Sequence, residues 1–445
     1  MTQYACRVGL VMTLLSPLRV AAQEPLTLDA AVQAALAQNA ALRAIRAGQD
    51  ETAARVTEAR SGWFPRVSVT ESWQRGDQPV FVFSSLLSAR RFAATNFAID
   101  ALNHPDPIGF FHTTVGVEQV LFDGGRQRAA VNVAARRSEI AHAAVDEAAA
   151  GLAVAATQTF GRSVAAQAAH QAAEAGLAAA REDQAHAERR RDAGMATDAE
   201  VLALVVHVAD LQQRAIQADG DTGIARAELN RLMGRPIDRE FRTVEPSAVL
   251  LDDVADAANL TALFAEADAA RPEITHAAAS LQIADAARRQ ARAALIPQVA
   301  TQAAMDVSGT RFNDRASSWL VGAELRWTFS MGGAELAQIT GAAASVARAR
   351  AEADEARAAV HVEVASALRR VETARARQAA GRAAVDQARE SQRIIRDRFD
   401  AGIVGVGDVL RASTAVLDAD ANRISALVDG VVSSAMLRRA LGRNP

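Results

Sequence analysis

The sequence predicts a mainly α-helical chain, internally duplicated, with long antiparallel coiled-coil helices and a small membrane β-barrel portion built from four strands per protomer. Three observations predict this. The chain is 50% hydrophobic but only 4% aromatic, and alanine, the strongest helix former, makes up the difference. Two very long helical runs of equal span recur at a fixed offset. Four segments of about 10 to 13 residues alternate apolar and polar side chains, the period of a sheet with two unlike faces.

Residues 1–22 read as an export signal. Arg7 supplies the positive end, Val8–Leu18 the apolar stretch and Val20-Ala21-Ala22 the small-residue cleavage site, leaving Gln23 first in the mature chain. That stretch is too short to span a bilayer. Cys6 is the single cysteine and precedes the apolar stretch, so it is not placed for a lipid anchor. The mature chain is expected to have no disulfide and no thiol chemistry. No later run of about 18 consecutive apolar residues offers a transmembrane helix. An exported chain of this kind is either soluble in the periplasm or a membrane β-barrel.

The duplication shows in paired landmarks. Phe64-Pro65 recurs as Ile296-Pro297, 232 residues on. Gly124-Gly125, Asp192-Ala193-Gly194 and the Arg231–Arg235 string recur 208 residues on, at Gly332-Gly333, Asp400-Ala401-Gly402 and Arg439–Arg443. The change of offset places a 24-residue insertion in the stretch Gly76–His112 of the first half. Residues 23–234 form the first repeat, 235–259 a linker with Pro236 and Pro246, and 260–445 the second repeat. Each repeat opens with a helix (Asp29–Gly62; Ala262–Leu295). A hairpin follows, at about 65–122 and about 297–330. Next comes a helical run from Gly125 to Ala193, or from Gly333 to Ala401, on the order of 100 Å long at 1.5 Å per residue. After a glycine break a returning helix closes the repeat (Asp198–Met233; Val406–Leu441). Helices of that length need partners along their whole span, as in coiled coils.

The strands decide between a soluble rod and a membrane protein. In Arg66–Arg75, Val67, Val69 and Trp73 alternate with Arg66, Ser68, Thr70, Ser72 and Gln74. In Ser318–Ser330, Trp319, Val321, Leu325, Trp327 and Phe329 alternate with mostly polar or small residues. Gln298–Val307 alternates similarly, and Thr113–Phe122 less cleanly. The lengths suit tilted strands crossing a bilayer. Trp63, Trp73, Trp319, Trp327 and Phe329 are candidate membrane-interface aromatics. Four strands cannot close a barrel, and an open edge is not tolerated in lipid. Copies must therefore share strands: two would give eight and three twelve, and a pore favours three or more.

Several strings resemble the TolC-like outer membrane efflux protein (outer membrane factor) family: FVFSSLLSARRF at Phe81–Phe92, VEQVLFDGG at Val117–Gly125, and the tip segments RDAGMATDAEVL and FDAGIVGVGDVL. Their order and double occurrence extend over essentially the whole mature chain. The resemblance implies a homotrimer with a shared 12-stranded barrel in the outer membrane and a helical tunnel across the periplasm. It implies a passive duct for efflux or type I secretion, working with a periplasmic adaptor and an inner-membrane pump. No enzyme activity or cofactor is expected.

At the two glycine breaks the family's gate would lie. Asp408 matches the family position that narrows the tip; three copies would form a carboxylate ring that favours cations. A helix N-terminal carboxylate facing the macrodipole is the alternative for Asp408, and more so for Glu200. The family often has tyrosine where Phe399 stands, arginine where Val404 stands, and a second carboxylate where Arg411 stands. The closed tip is therefore expected to use other contacts, Arg411 to Asp408 or to Glu200. Small residues Gly194, Ala196, Gly402, Gly405 and Gly407 are the candidate adaptor contact. The Gly76–His112 stretch, with Phe81, Phe83, Phe110 and Phe111, is read as folding over the barrel mouth.

Other functions find no support in the residues. A net charge of −3 leaves no basic footprint for nucleic acid. No paired histidine spacing or calcium-loop pattern suggests a metal, and His207 reads as packing. The Asp252-Asp253 pair reads as solvated linker. The competing readings are a periplasmic coiled-coil adaptor and a soluble structural coiled coil.

Overall fold

The computed structural model describes residues 24–246 and 259–443. The expected export signal with Cys6, and Asp252-Asp253 of the linker, lie outside them. The first half contains β1 (Glu24–Leu26), α1 (Leu28–Gln38), α2 (Ala40–Ser61), β2 (Arg66–Gly76), α3 (Pro79–Ser88), a 3-10 turn (Ala94–Phe97), α4 (Ile99–Asn103), β3 (Ile108–Phe122), α5 (Arg126–Asp192), α6 (Asp198–Leu232) and β4 (Phe241–Thr243). The second contains α7 (Leu260–Ala270), α8 (Pro272–Ala293), β5 (Gln298–Arg311), β6 (Asp314–Arg326), α9 (Ala334–Asp400) and α10 (Val406–Ala440). Leaving out α3 and α4, the helices of the two halves agree in length: 11, 22, 67 and 35 residues in each.

The opening helix of each half, expected to be continuous, is broken in two. Asn39 (φ −62°, ψ 128°) and Arg271 (φ −74°, ψ 128°) are both extended. Pro272 steers Arg271 away from helical geometry, a signal present in the sequence. Asn39 has no such neighbour; its break is stabilised from a distance. Its Nδ2 donates to the carbonyl of Leu232 at 3.0 Å. Arg271 likewise donates to the carbonyl of Arg439 at 2.8 Å. In each half the break residue thus bonds a carbonyl at the end of the returning helix; among the described residues the Leu232 carbonyl has no backbone donor there, whereas the Arg439 carbonyl also accepts from Gly442 N at 2.9 Å. The glycine after that helix is held to the same spot. Gly234 (φ 65°) and Gly442 (φ 70°) are left-handed, and a Cβ on them would stand 2.6 Å from Gln38 O and 2.8 Å from Ala270 C.

Two compact units emerge, each with its own contacts. One gathers residues 24–39, 153–246 and 371–435. Its core joins Leu26, Ala31, Phe160, Val164, Leu229, Met233 and Phe241. Short parallel pairing of β1 with β4 closes over it, giving part of the linker a strand that the sequence did not signal. A second cluster joins Ala187, Val201, Leu204 and Val406 with Phe399 and Leu410. The α10 side chain of Val428 packs directly onto Gly161 of α5: a Cβ there would meet Val428 Cγ1 at 2.5 Å.

The other unit gathers residues 40–152, 259–370 and 436–443 and holds the four-stranded sheet. Arg271 is its buried polar node, 2% exposed. It bonds both oxygens of Glu273 at 2.8 and 2.6 Å and Glu363 at 2.7 Å, besides the Arg439 carbonyl.

The coiled-coil expectation is visible in the buried seams. On α6, Leu204, Leu211, Ala218 and Ala225 are buried at heptad spacing. On α9, Val360, Val364, Ala367, Val371, Ala374 and Gln378 are buried at alternating steps of four and three. Gln378 is tolerated there because its amide donates to the Ala426 and Leu427 carbonyls. One earlier expectation needs qualifying: α5 contains an 18-residue window apolar enough to cross a membrane, 28% of it buried. Alanine, rather than a run of large apolar residues, makes it so.

Candidate functional site

The sheet has the order β2-β3-β5-β6, every pair antiparallel. The strands depart from their expected bounds. β3 begins at Ile108 rather than Thr113 and β5 ends at Arg311 rather than Val307. β6 spans Asp314–Arg326, so Trp327 and Phe329 lie just past its end. Register aligns the apolar positions into rows across all four strands. One row is Val67, Val117, Ala303 and Val321; the next is Val69, Val115, Met305 and Trp319. These side chains are largely bare, with Val69 70% and Trp319 80% exposed. The opposite face carries polar rows such as Thr70, Thr114, Asp306 and Ser318. There His112 contacts Ser308 at 2.8 Å, and Thr114 donates to Asp306 at 2.7 Å.

Aromatic side chains gather at both ends of the apolar face. Trp73 lies 6.4 Å from Phe111, which lies 5.8 Å from Phe312. Arg315 is 4.1 Å from the Phe312 ring centroid and pairs with Glu71 at 3.2 Å. At the other end, where the chain enters the long helices, Trp63 and Phe64 are exposed and Trp327 lies 5.7 Å from Phe329. Trp319 sits mid-strand in the Val69 row, away from both groups. β2 and β6 each have one unpaired edge. The sheet thus presents a bare apolar face with aromatic borders and two open edges, the features of a surface that meets a membrane or a partner.

At the glycine breaks, Gly194 (φ 74°) and Gly402 (φ 73°) end α5 and α9 in the left-handed conformation. Amides past them return to the last turn: Met195 N to Arg190 O and Ile403 N to Arg398 O, at 2.8 and 2.9 Å. Ala196 and Gly405 lie in the two turns that follow, and Gly407 in the first turn of α10. Thr197 caps α6 and receives Glu200 in return: Thr197 Oγ1 accepts from Glu200 N at 3.3 Å, and Glu200 Oε2 accepts from Thr197 N at 2.8 Å. Glu200 is therefore occupied at its own helix terminus. Arg411 reaches Asp408 at 2.5 Å, one turn away on the same helix, and not Glu200.

Contacts between the two helix pairs join Phe399, and Asp183, to arginines the sequence did not single out. The Arg190 guanidinium lies 5.0 Å from the Phe399 ring centroid, and its Nη1 donates to the Phe399 carbonyl at 3.4 Å. Arg396 pairs with Asp183 at 3.2 Å. The Arg189-Arg190-Arg191 run at the α5 C-terminus was the available signal, but it reads equally as complementing the helix dipole. Hydrogen bonding to Asp192 holds the Arg191 pKa above its usual value. Burial lowers that of His207, which fits a packing role. Among the described residues no group of His, Cys, Asp and Glu could hold a metal ion.

A family model described as outer membrane efflux protein matches residues 31–235 and 263–443. No curated protein matches the chain. Solved structures do. A membrane protein from Pseudomonas aeruginosa is 20% identical with TM-score 0.78, covering 93% of each chain. The outer membrane protein VceC of Vibrio cholerae is 18% identical with TM-score 0.75, covering 94% of this chain and 96% of its own. The MtrE outer membrane channel of Neisseria gonorrhoeae, in its open state, is 18% identical with TM-score 0.72, covering 94% and 89%. At these identities the likeness shows a common TolC-like fold. The family match rests on both halves of the chain, and with it the chain belongs to the outer membrane efflux protein family.

Proposed function

We propose that three copies assemble into a passive exit duct, each giving its four strands to a shared 12-stranded barrel in the outer membrane. The observation that carries this is the pair of bare apolar rows on a sheet with two open edges. β6 of one copy would pair with β2 of the next, removing every edge from lipid. Eight strands would be filled by side chains, so twelve suit a conducting pore. The apolar rows and the Trp63, Trp73, Trp327 and Phe329 borders would face lipid, with Trp319 mid-band. The polar rows would line the lumen.

The matching helix lengths and caps favour an internal duplication, with 23–234 and 260–445 as the repeats and 235–259 as the joint. The periplasmic helix tips would be the gate. Arg190 on Phe399 and Arg396 on Asp183 would hold the two helix pairs of a protomer together. Asp408 would face the axis with its charge partly offset by Arg411. The turns with Gly194, Ala196, Gly402, Gly405 and Gly407 would receive a periplasmic adaptor, and an inner-membrane pump would supply energy. The chain itself would catalyse no reaction.

Mass and planar-bilayer conductance of the detergent-extracted protein test the reading. A trimer with a low-conductance, mostly closed pore is expected. A detergent-independent monomer or dimer without conductance would overturn it and favour a periplasmic coiled-coil protein.

A further inference from the structure

The hairpins of the two halves differ in one respect. β5 and β6 are joined by Phe312-Asn313 alone, whereas residues 77–107 stand between β2 and β3. That insert is folded. Phe83, Phe92 and Phe97 form an aromatic cluster of its own, with ring centroids 4.7 and 5.0 Å apart. α3 buries Val82 and Ser85, with its C-cap Ala89 buried on the same face, and packs on β5.

Strand parity tells which face of the sheet the insert covers. Phe81 meets Phe110 edge-on at 6.3 Å, and Phe110 stacks on His112. Phe110, His112 and Ser308 all belong to the polar face, and Ser308 is only 2% exposed. On the apolar face Val67, Val69 and Trp319 remain bare. The insert therefore lies over the polar face, at the strand ends remote from the long helices.

Two arginines tie it there. Arg91 Nη1 donates to Thr310 Oγ1 at 2.7 Å and lies 3.5 Å from Asp314. Arg90 Nη2 donates to the Ser317 carbonyl at 3.0 Å. Arg90 has φ 53°, the one positive φ on a non-glycine residue among those described. It ends α3 with the amide of Arg91 returning to the Leu86 carbonyl at 2.9 Å, a turn that glycine serves without strain. A guanidinium held at a disfavoured backbone position, and used in a contact to the other hairpin, points to selection for that contact.

We propose that residues 77–107 fold into the lumen and narrow the duct at its outer end, with Arg90 and Arg91 as the positioning residues that latch the insert to the β5–β6 hairpin. This rests on the channel reading, which makes the polar face the lumen.

Thiol accessibility on intact cells tests it. In a Cys6→Ser background, Ser308→Cys reports the covered lumen wall and Asn313→Cys the exposed outer turn. A membrane-impermeant maleimide should label Asn313→Cys quickly and Ser308→Cys slowly. Adding Arg90→Gly, which suits the backbone and removes only the guanidinium, or Arg90→Gly with Arg91→Ser, should speed labelling of Ser308→Cys about tenfold, the scale of one or two lost charge-assisted hydrogen bonds. Equal labelling of Ser308→Cys with and without the latch would overturn the proposal. Labelling of Asn313→Cys only after lysis would overturn the channel topology instead, so the two failures are distinguishable.

Discussion

Val69 and Thr70 are neighbours on β2, both exposed in the protomer, and they point to opposite faces of the sheet. Arginine at each position separates lipid from lumen. Val69 lies four residues from Trp73 and six from Trp63. At ~3.3 Å per residue and a strand tilt of ~40°, these are heights of ~10 and ~15 Å, which places Val69 near the middle of a ~25 Å apolar band. Arginine on the lipid face at the midplane costs about 2–4 kcal/mol. On the lumen face Thr70→Arg meets water and should cost roughly 0–1 kcal/mol, the range of an ordinary exposed change. The difference, about 2 kcal/mol, is roughly a 30-fold change in the folding equilibrium per protomer. Urea titration of protein reconstituted in liposomes, followed by the folded-trimer band, measures it. If Thr70→Arg lost as much stability as Val69→Arg, the assignment of faces would be refuted. If neither lost any, the sheet does not meet lipid.

Four further outcomes follow from the packing and the charges. Arg271→Ala strands Glu273 and Glu363; partial water access to the carboxylates moderates the usual penalty for an unpaired buried charge to about 3 kcal/mol, and Arg271→Met with Glu273→Gln and Glu363→Gln should recover most of it in urea unfolding. Gly234→Ala, at φ 65° and 2.6 Å from Gln38 O, should cost about 2 kcal/mol or more, whereas Gly220→Ala inside α6, with open space around its Cβ, should be neutral or stabilising by about 0.5–1 kcal/mol. Arg190→Gln should raise single-channel open probability about fivefold, from loss of a cation–π contact worth about 1 kcal/mol, while Phe399→Tyr should leave it unchanged; an unaltered Arg190→Gln channel would remove that contact from the gate. The Arg443 hydrogen bond holds Glu266 below its ordinary pKa of 4.5, so the pair's stabilisation is fully present above that pH and is lost as pH falls through the lowered value. Melting of Glu266→Gln should therefore lose its difference from the unsubstituted protein at low pH, and a difference that persisted there would show the pair to be immaterial.

Much of the architecture was legible along the chain because it depends on local periodicity. Heptad alanine and valine specify the long helices, Gly194 and Gly402 end them, and the two-residue alternation from Val67 to Trp73 separates the faces of a strand. Pro272 carried a signal for one of the two breaks in the opening helices, although the expected helix Ala262–Leu295 ran through it. The Asn39 break was not legible, because what stabilises it is a carbonyl 193 residues away. The tip shows the same division. Asp408, Arg411, Glu200 and Phe399, singled out from sequence, lie at the helix ends beside the glycine breaks, but Glu200 caps its own helix and Arg411 pairs within its own. Arg190, Arg396 and Asp183 reach across only once two helix pairs lie side by side.

By itself the sequence determined the long helices and the four long strands with their unlike faces, since each follows from residues within a few turns or steps of one another. Only the tertiary structure decided the sheet order and register that join separate alternations into continuous apolar rows, the lodging of residues 77–107 on the polar face, and the Arg190–Phe399 and Arg396–Asp183 contacts at the tips. Those depend on side chains distant in sequence meeting at hydrogen-bonding range, and a local pattern carries no record of such a meeting.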